Sequence, residues 1–138
     1  MSKSALLVLF SLFAFVNPQF YASGQEAIGS SDKRVTYMGR TNIDRDATII
    51  YWSGSSVTLN FEGPELKAVM KDEHSRNYFN IIIDNKAIKR LRPDSVQQTY
   101  TLAANLSKGK HTVQIYKLTE GTMGKTWFYG FELPAGSK

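Results

Sequence analysis

From Arg34 onward the chain shows no helical periodicity. Short runs rich in β-branched and aromatic residues stand at 34–38, 48–52, 56–61, 65–72, 77–83, 86–91, 96–102, 110–118 and 126–133, separated by Gly, Asn, Asp, Ser and Pro. Starts about a dozen residues apart, with turn chemistry in each gap, predict an all-β fold, an antiparallel sandwich or jelly roll of eight or nine short strands. At 138 residues the chain holds one such domain and no large second one. It has no cysteine, so disulfides cannot support it and the domain must stand on its core.

Several connections and faces can be read directly. Asp84-Asn85, two residues tolerant of positive φ, lie between Ile81-Ile-Ile83 and Lys86-Ala-Ile88 and predict a two-residue hairpin. In the run after Lys108-Gly-Lys110, His111, Val113, Ile115 and Lys117 share one face and Thr112, Gln114 and Tyr116 the other; the first is expected to point inward. In the last run Trp127, Tyr129 and Phe131 alternate with Phe128, Gly130 and Glu132, leaving both faces apolar. The stretch from Lys117 to Leu133 is therefore expected to be mainly a sandwich-closing hairpin, and secondarily a docking or sugar-facing edge.

The N-terminus carries a different signal. Lys3 precedes an apolar run from Ala5 to Val16, too short for the roughly 20 residues of a membrane-spanning helix and typical of a secretory signal peptide. Ala22 and Gly24 fit the small positions of a cleavage site, which predicts a signal at 1–24 and a secreted or periplasmic chain beginning at Gln25, with no membrane span after cleavage. Residues 25–33 are small and polar and read as a flexible lead-in to a sandwich at 34–136.

The net charge of +5 is mild. The one basic cluster, Lys86 to Arg92, lacks the interleaved aromatics of a single-strand nucleic-acid binder; it reads as a solvated hairpin arm, and no nucleic-acid partner is expected.

"YMGR" (37–40), "YWSGSSVTLNFEG" (51–63), "NYFNIIIDN" (77–85), "LSKGKHTVQIYKLTE" (106–120) and "WFYGFEL" (127–133) follow one another in an order that resembles the N-terminal domain of carbohydrate esterase family 2. That resemblance covers about residues 34–136 and implies a small β-sandwich. In the family this domain precedes an SGNH/GDSL hydrolase domain that deacetylates plant-wall polysaccharides. The Gly-Asp-Ser motif of that hydrolase is not present in this sequence. The expectation is a non-catalytic accessory domain, or else an esterase fragment inactive alone. A cell-surface protein-interaction module is the third reading.

The chemistry agrees. The sequence has no Gly-x-Ser-x-Gly and only His74 and His111 as imidazole bases, neither with a partner by spacing. His111 reads as a buried or rim histidine and His74 as part of a solvated turn. Asn42-Ile-Asp-Arg-Asp46 alternates oxygen ligands as a calcium loop does, but lacks the following glycine and distant glutamate, so it reads as a polar loop; no metal or cofactor is expected. Sugar rings stack on indole or phenol rings while their hydroxyls need fixed polar partners. Trp52, Tyr78, Trp127 and Tyr129 are candidates for the first role, and Arg40 and Glu120, with Asn77 and Gln98, for the second. The competing role of each aromatic is core packing, and exposure decides between them. The expected partner is a plant-wall type polysaccharide (xylan, mannan or glucan) or an SGNH hydrolase domain.

Overall fold

The computed structural model describes residues 24–138; the expected signal sequence, Gly24 apart, lies outside them. Eleven strands form two antiparallel sheets. In chain order they are β1 (Glu26–Gly29), β2 (Thr36–Met38), β3 (Thr41–Asp44), β4 (Ala47–Ile50), β5 (Ser56–Glu62), β6 (Leu66–Asp72), β7 (Phe79–Ile83), β8 (Lys86–Leu91), β9 (Gln98–Ala103), β10 (Lys110–Lys117) and β11 (Thr126–Leu133). A six-stranded sheet runs β3-β4-β11-β6-β9 with β1 also against β11, and a five-stranded sheet runs β2-β5-β10-β7-β8. All nine predicted runs contain a strand. No helix among the described residues is long and apolar enough to cross a membrane.

The core lies between the sheets. β10 shows how alternation builds it: His111, Val113, Ile115 and Lys117 point inward, as their spacing predicts. Opposite them, Phe128 and Phe131 of β11 pack edge to face at 4.9 Å. Each such fully buried side chain contributes roughly 1.5–3 kcal/mol relative to exposure.

Phe131 reaches the core only because β11 breaks its own alternation. A bulge between Phe128 and Gly130 shifts the register against β6 and turns Phe131 to the same side as Phe128. Gly130, at φ 147°, makes this possible; a Cβ there would lie 2.2 Å from the Ile28 carbonyl oxygen of β1.

Four expectations need correction. The lead-in is ordered structure: β1 pairs with the second half of β11 and buries Ile28, while the Arg34 guanidinium holds Glu26 at 2.8 Å and Asp32 at 3.0 Å. Four residues with one inward apolar side chain carry too little pattern to announce a strand. The Asn42–Asp46 stretch is the β3–β4 hairpin, turning at Arg45 with φ 57°, because Thr41–Asp44 lies antiparallel to Ala47–Ile50. The stretch from Lys117 to Leu133 is not a hairpin: β10 and β11 belong to different sheets, and β11 is interior, flanked by β6 and by β4 and β1. At the C-terminal side the pairing continues past 136, where Lys138 and Glu62 exchange backbone hydrogen bonds.

The predicted hairpin at Asp84-Asn85 is present, with φ of 49° and 65° at its two central residues.

Candidate functional site

One end of the sandwich gathers the β4–β5 turn (51–55), the segment 39–40, the β6–β7 loop (73–78) and the β10–β11 crossover (118–125), which contains a single 3-10 turn at Gly121–Met123. A buried polar cluster fixes this end. Asp72 Oδ1 accepts from Asn77 Nδ2 at 2.8 Å and Thr126 Oγ1 at 2.6 Å, and Asp72 Oδ2 accepts from the Arg76 backbone N–H at 3.0 Å. Asn77 Nδ2 also donates to the Gly124 carbonyl at 3.1 Å, and its Oδ1 accepts from Thr119 Oγ1 at 2.7 Å. Lys117, fully buried, donates from Nζ to the Thr119 carbonyl at 2.6 Å and the Glu120 carbonyl at 3.3 Å. Burial lowers the pKa of its ammonium, and the Asp72 carboxylate offsets part of that. The crossover is thus tied to both sheets by side chains whose polar atoms are paired, which is the condition for burying them at all.

Against this frame stands Trp52, 57% exposed. Its ring packs on Gly121, where a Cβ would come within 3.3 Å of the indole, so glycine gives the ring its seat. Trp52 and Arg40 form a ridge between two depressions. The larger, about 470 Å³, is walled by Met38, Gly39 and the Ser53-Gly54-Ser55 turn; the smaller, about 260 Å³, by Thr41, Asn42 and Tyr51. In the wall of the larger one the buried Ser55 hydroxyl has no hydrogen-bond partner. Gly39 lies directly over it; a Cβ at Gly39 would sit 2.5 Å from that oxygen.

The six predicted site residues divide. Arg40 and Trp52 share the cleft, and exposed Glu120 immediately precedes the Gly121 on which Trp52 rests. Tyr78, 38% exposed, lies beside the crossover, its carbonyl accepting the Leu118 N–H at 2.9 Å. Trp127 and Tyr129 are elsewhere, on the outer face of the six-stranded sheet. There the Trp127 indole N–H donates to Asp44 at 2.9 Å, and the Lys71 and Lys125 ammonium groups each lie 5.1 Å from the ring centre. A ring so occupied is a structural clamp rather than a free stacking platform. Tyr129 lines a polar depression with Asp44, Arg45 and Asp46; burial and those aspartates raise its phenol pKa. Asn77, proposed as a polar ligand, is consumed inside the Asp72 cluster, and Gln98 is exposed on β9, an edge strand of the six-stranded sheet. The Ser55 hydroxyl and the Gly39 lid were not singled out by the sequence; their only signal is the glycine of "YMGR" and the small residues of "WSGSS".

His111 does have a partner, which spacing did not reveal. Nδ1 lies 2.7 Å from Asp84 Oδ2 and Nε2 lies 2.7 Å from the Ser107 carbonyl. Both neighbours are acceptors, so the ring donates from both nitrogens and is held as imidazolium. Its pKa is raised, first by the Asp84 bond and then by Ser107, and His111 lowers that of Asp84. A charged histidine pinning the Asp84-Asn85 turn to β10 is a structural clamp and no free base. His74 is exposed beside Glu73 at 4.0 Å.

These features define a small antiparallel β-sandwich with an open aromatic cleft at one loop end. Residues 37–138 match the carbohydrate esterase 2 N-terminal family, and the chain belongs to it. It is 31% identical over 115 residues to an acetylxylan esterase / glucomannan deacetylase of Cellvibrio japonicus, covering 83% of this chain and 32% of that protein. The fold superimposes on a family two carbohydrate esterase from Cellvibrio japonicus with TM-score 0.77 and 27% identity, covering 83% of this chain and 35% of that one. A family two carbohydrate esterase from Clostridium thermocellum, in complex with cellohexaose, gives TM-score 0.67 and 28% identity, with 75% of this chain and 33% of that one covered. The chain spans about a third of the length of these relatives.

Proposed function

We propose that this is an exported, non-catalytic accessory domain that recognises an uncharged plant-wall polysaccharide through the Trp52 cleft. The observation that carries this reading is the exposed Trp52 ring, shared with Arg40 between two open depressions. A pyranose ring can lay its C–H face on the indole, with Arg40 in the same cleft to meet its hydroxyls and exposed Glu120 one residue from the Gly121 seat of the ring. That a similar family two esterase from Clostridium thermocellum is in complex with cellohexaose supports including glucans among the candidate ligands.

The test is tryptophan fluorescence of the purified chain titrated with xylo-, manno- and cello-oligosaccharides. The expected result is a saturable shift that Trp52→Ala abolishes and Trp127→Ala preserves. No shift with any glycan would refute the reading. A second reading, support of an SGNH hydrolase domain, is favoured by the extra length of the relatives. It predicts that the chain raises the thermal stability or activity of such a hydrolase when the two are combined.

A further inference from the structure

We infer that the bound polysaccharide does not stop at the Trp52 cleft but continues as an extended, uncharged strand across the outer face of the five-stranded sheet. This rests on the carbohydrate reading above and assigns it a second, larger surface. Strand registers place the side chains. Arg90, Asn80, Tyr116, Ser56 and Met38 lie directly opposite one another across β8, β7, β10, β5 and β2 and form one row on the outer face, in which Ser56 is itself buried and serves as an anchor rather than a ligand. The next row is Ile82, Gln114, Thr58 and Thr36, and beyond it Thr112 faces Asn60.

Between β7 and β2 every polar group of these rows is a neutral hydroxyl or amide; charge bounds them, at Arg90 on the β8 edge and at Asp84, Lys110 and Glu62 beyond Thr112 and Asn60. That is the complement of a neutral polyol: hydroxyls and amides can both donate and accept, and no ion has to lose its water when the sugar covers them. Two of the groups are already oriented. Gln114 Nε2 donates to Ser56 Oγ at 3.2 Å, and Thr112 Oγ1 donates to Asn60 Oδ1 at 2.8 Å, so less side-chain entropy is lost on binding. Tyr116 supplies a half-buried ring at the centre of the first row, and Tyr78 an exposed one beside it.

The face is continuous with the cleft. The Tyr116 hydroxyl lies against the Gly54 wall of the cleft, 3.5 Å from where a Cβ on Gly54 would stand. Spacings of about 4.8 Å between neighbouring strands make five strands a surface roughly 20 Å across, wide enough for several sugar units.

The experiment is calorimetry on the whole purified chain with disaccharides and hexasaccharides of the cello, xylo and manno series. Variants Trp52→Ala, Tyr116→Ala, Gln114→Ala and Asn80→Ala are run beside the parent. The expected result is that the hexasaccharide of the preferred series binds at least about tenfold tighter than its disaccharide. Gln114→Ala and Asn80→Ala should erase most of that length gain while leaving disaccharide affinity unchanged. Both alter exposed or half-exposed side chains, so they remain informative if Tyr116→Ala disturbs the fold. A hexasaccharide no tighter than a disaccharide, with Trp52→Ala still abolishing both, would overturn the extended site and leave the cleft standing. Tighter binding of polygalacturonate than of any neutral chain would overturn the uncharged ligand class. Absence of binding by every oligosaccharide would remove the carbohydrate reading itself.

Discussion

The two outer faces of the sandwich use similar side chains to opposite ends. On the six-stranded sheet, Trp127 is closed in by Asp44, Lys71 and Lys125, and Lys67 of β6 lies opposite Glu132 of β11. On the five-stranded sheet, Tyr116 and Tyr78 stand among threonine, asparagine and glutamine, and Trp52 at its loop end is open. An aromatic ring in a small sandwich is therefore not a platform by virtue of being outward. What decides its role is whether charged neighbours have already satisfied its N–H and covered its π face.

Substitutions on the two faces are expected to separate their roles. The largest effect is expected from Asp72→Ala, which strands the donors of Asn77, Thr126 and Arg76 and removes the carboxylate that helps keep buried Lys117 charged. A loss of about 4 kcal/mol in urea unfolding is expected, and a loss below that of a surface substitution would show the cluster to be dispensable. Gly130→Ala should cost about 3 kcal/mol, because its Cβ meets the Ile28 carbonyl and its φ is unsuited to alanine. Trp127→Ala should cost about 2 kcal/mol of stability and no glycan affinity. Trp52→Ala should do the reverse, changing stability by less than about 0.5 kcal/mol. Equal stability losses for the two tryptophans would erase the distinction between clamp and platform.

The smallest effect is a pH dependence at the far end. His111 has a folded pKa above its ordinary 6.5, so its contribution is full below 6.5 and is lost as pH rises through the raised value. Asp84 is lowered from 3.8, so its contribution is full above 3.8 and is lost as pH falls through the lowered value. Stability from this pair should therefore be greatest between these pH values, and His111→Gln should flatten the upper limb of a stability–pH curve.

Much of the fold was legible because it is written locally. The nine longer runs carry enough β-branched and aromatic residues to reveal themselves, Asp84-Asn85 states its own turn, and alternation in β10 names its inward face down to Lys117. β1 and β3 were missed because their order comes from partners, β11 and β4, rather than from their own composition. The candidate site was half legible. Arg40 and Trp52 were separate candidates that the fold brings to one cleft, and nothing near Trp127 in the chain announces Asp44, more than eighty residues away, as its partner.

The fold class, nine of the eleven strands and the family order of motifs follow from residues close to one another in the chain. Which sheet each strand joins and which aromatic rings are free depend on partners far along it. The tertiary structure also decides that a bulge at Gly130 turns Phe131 inward. Alternation names two faces but not their neighbours, and a one-residue slip exchanges them; what covers a face is set by contacts from distant parts of the chain.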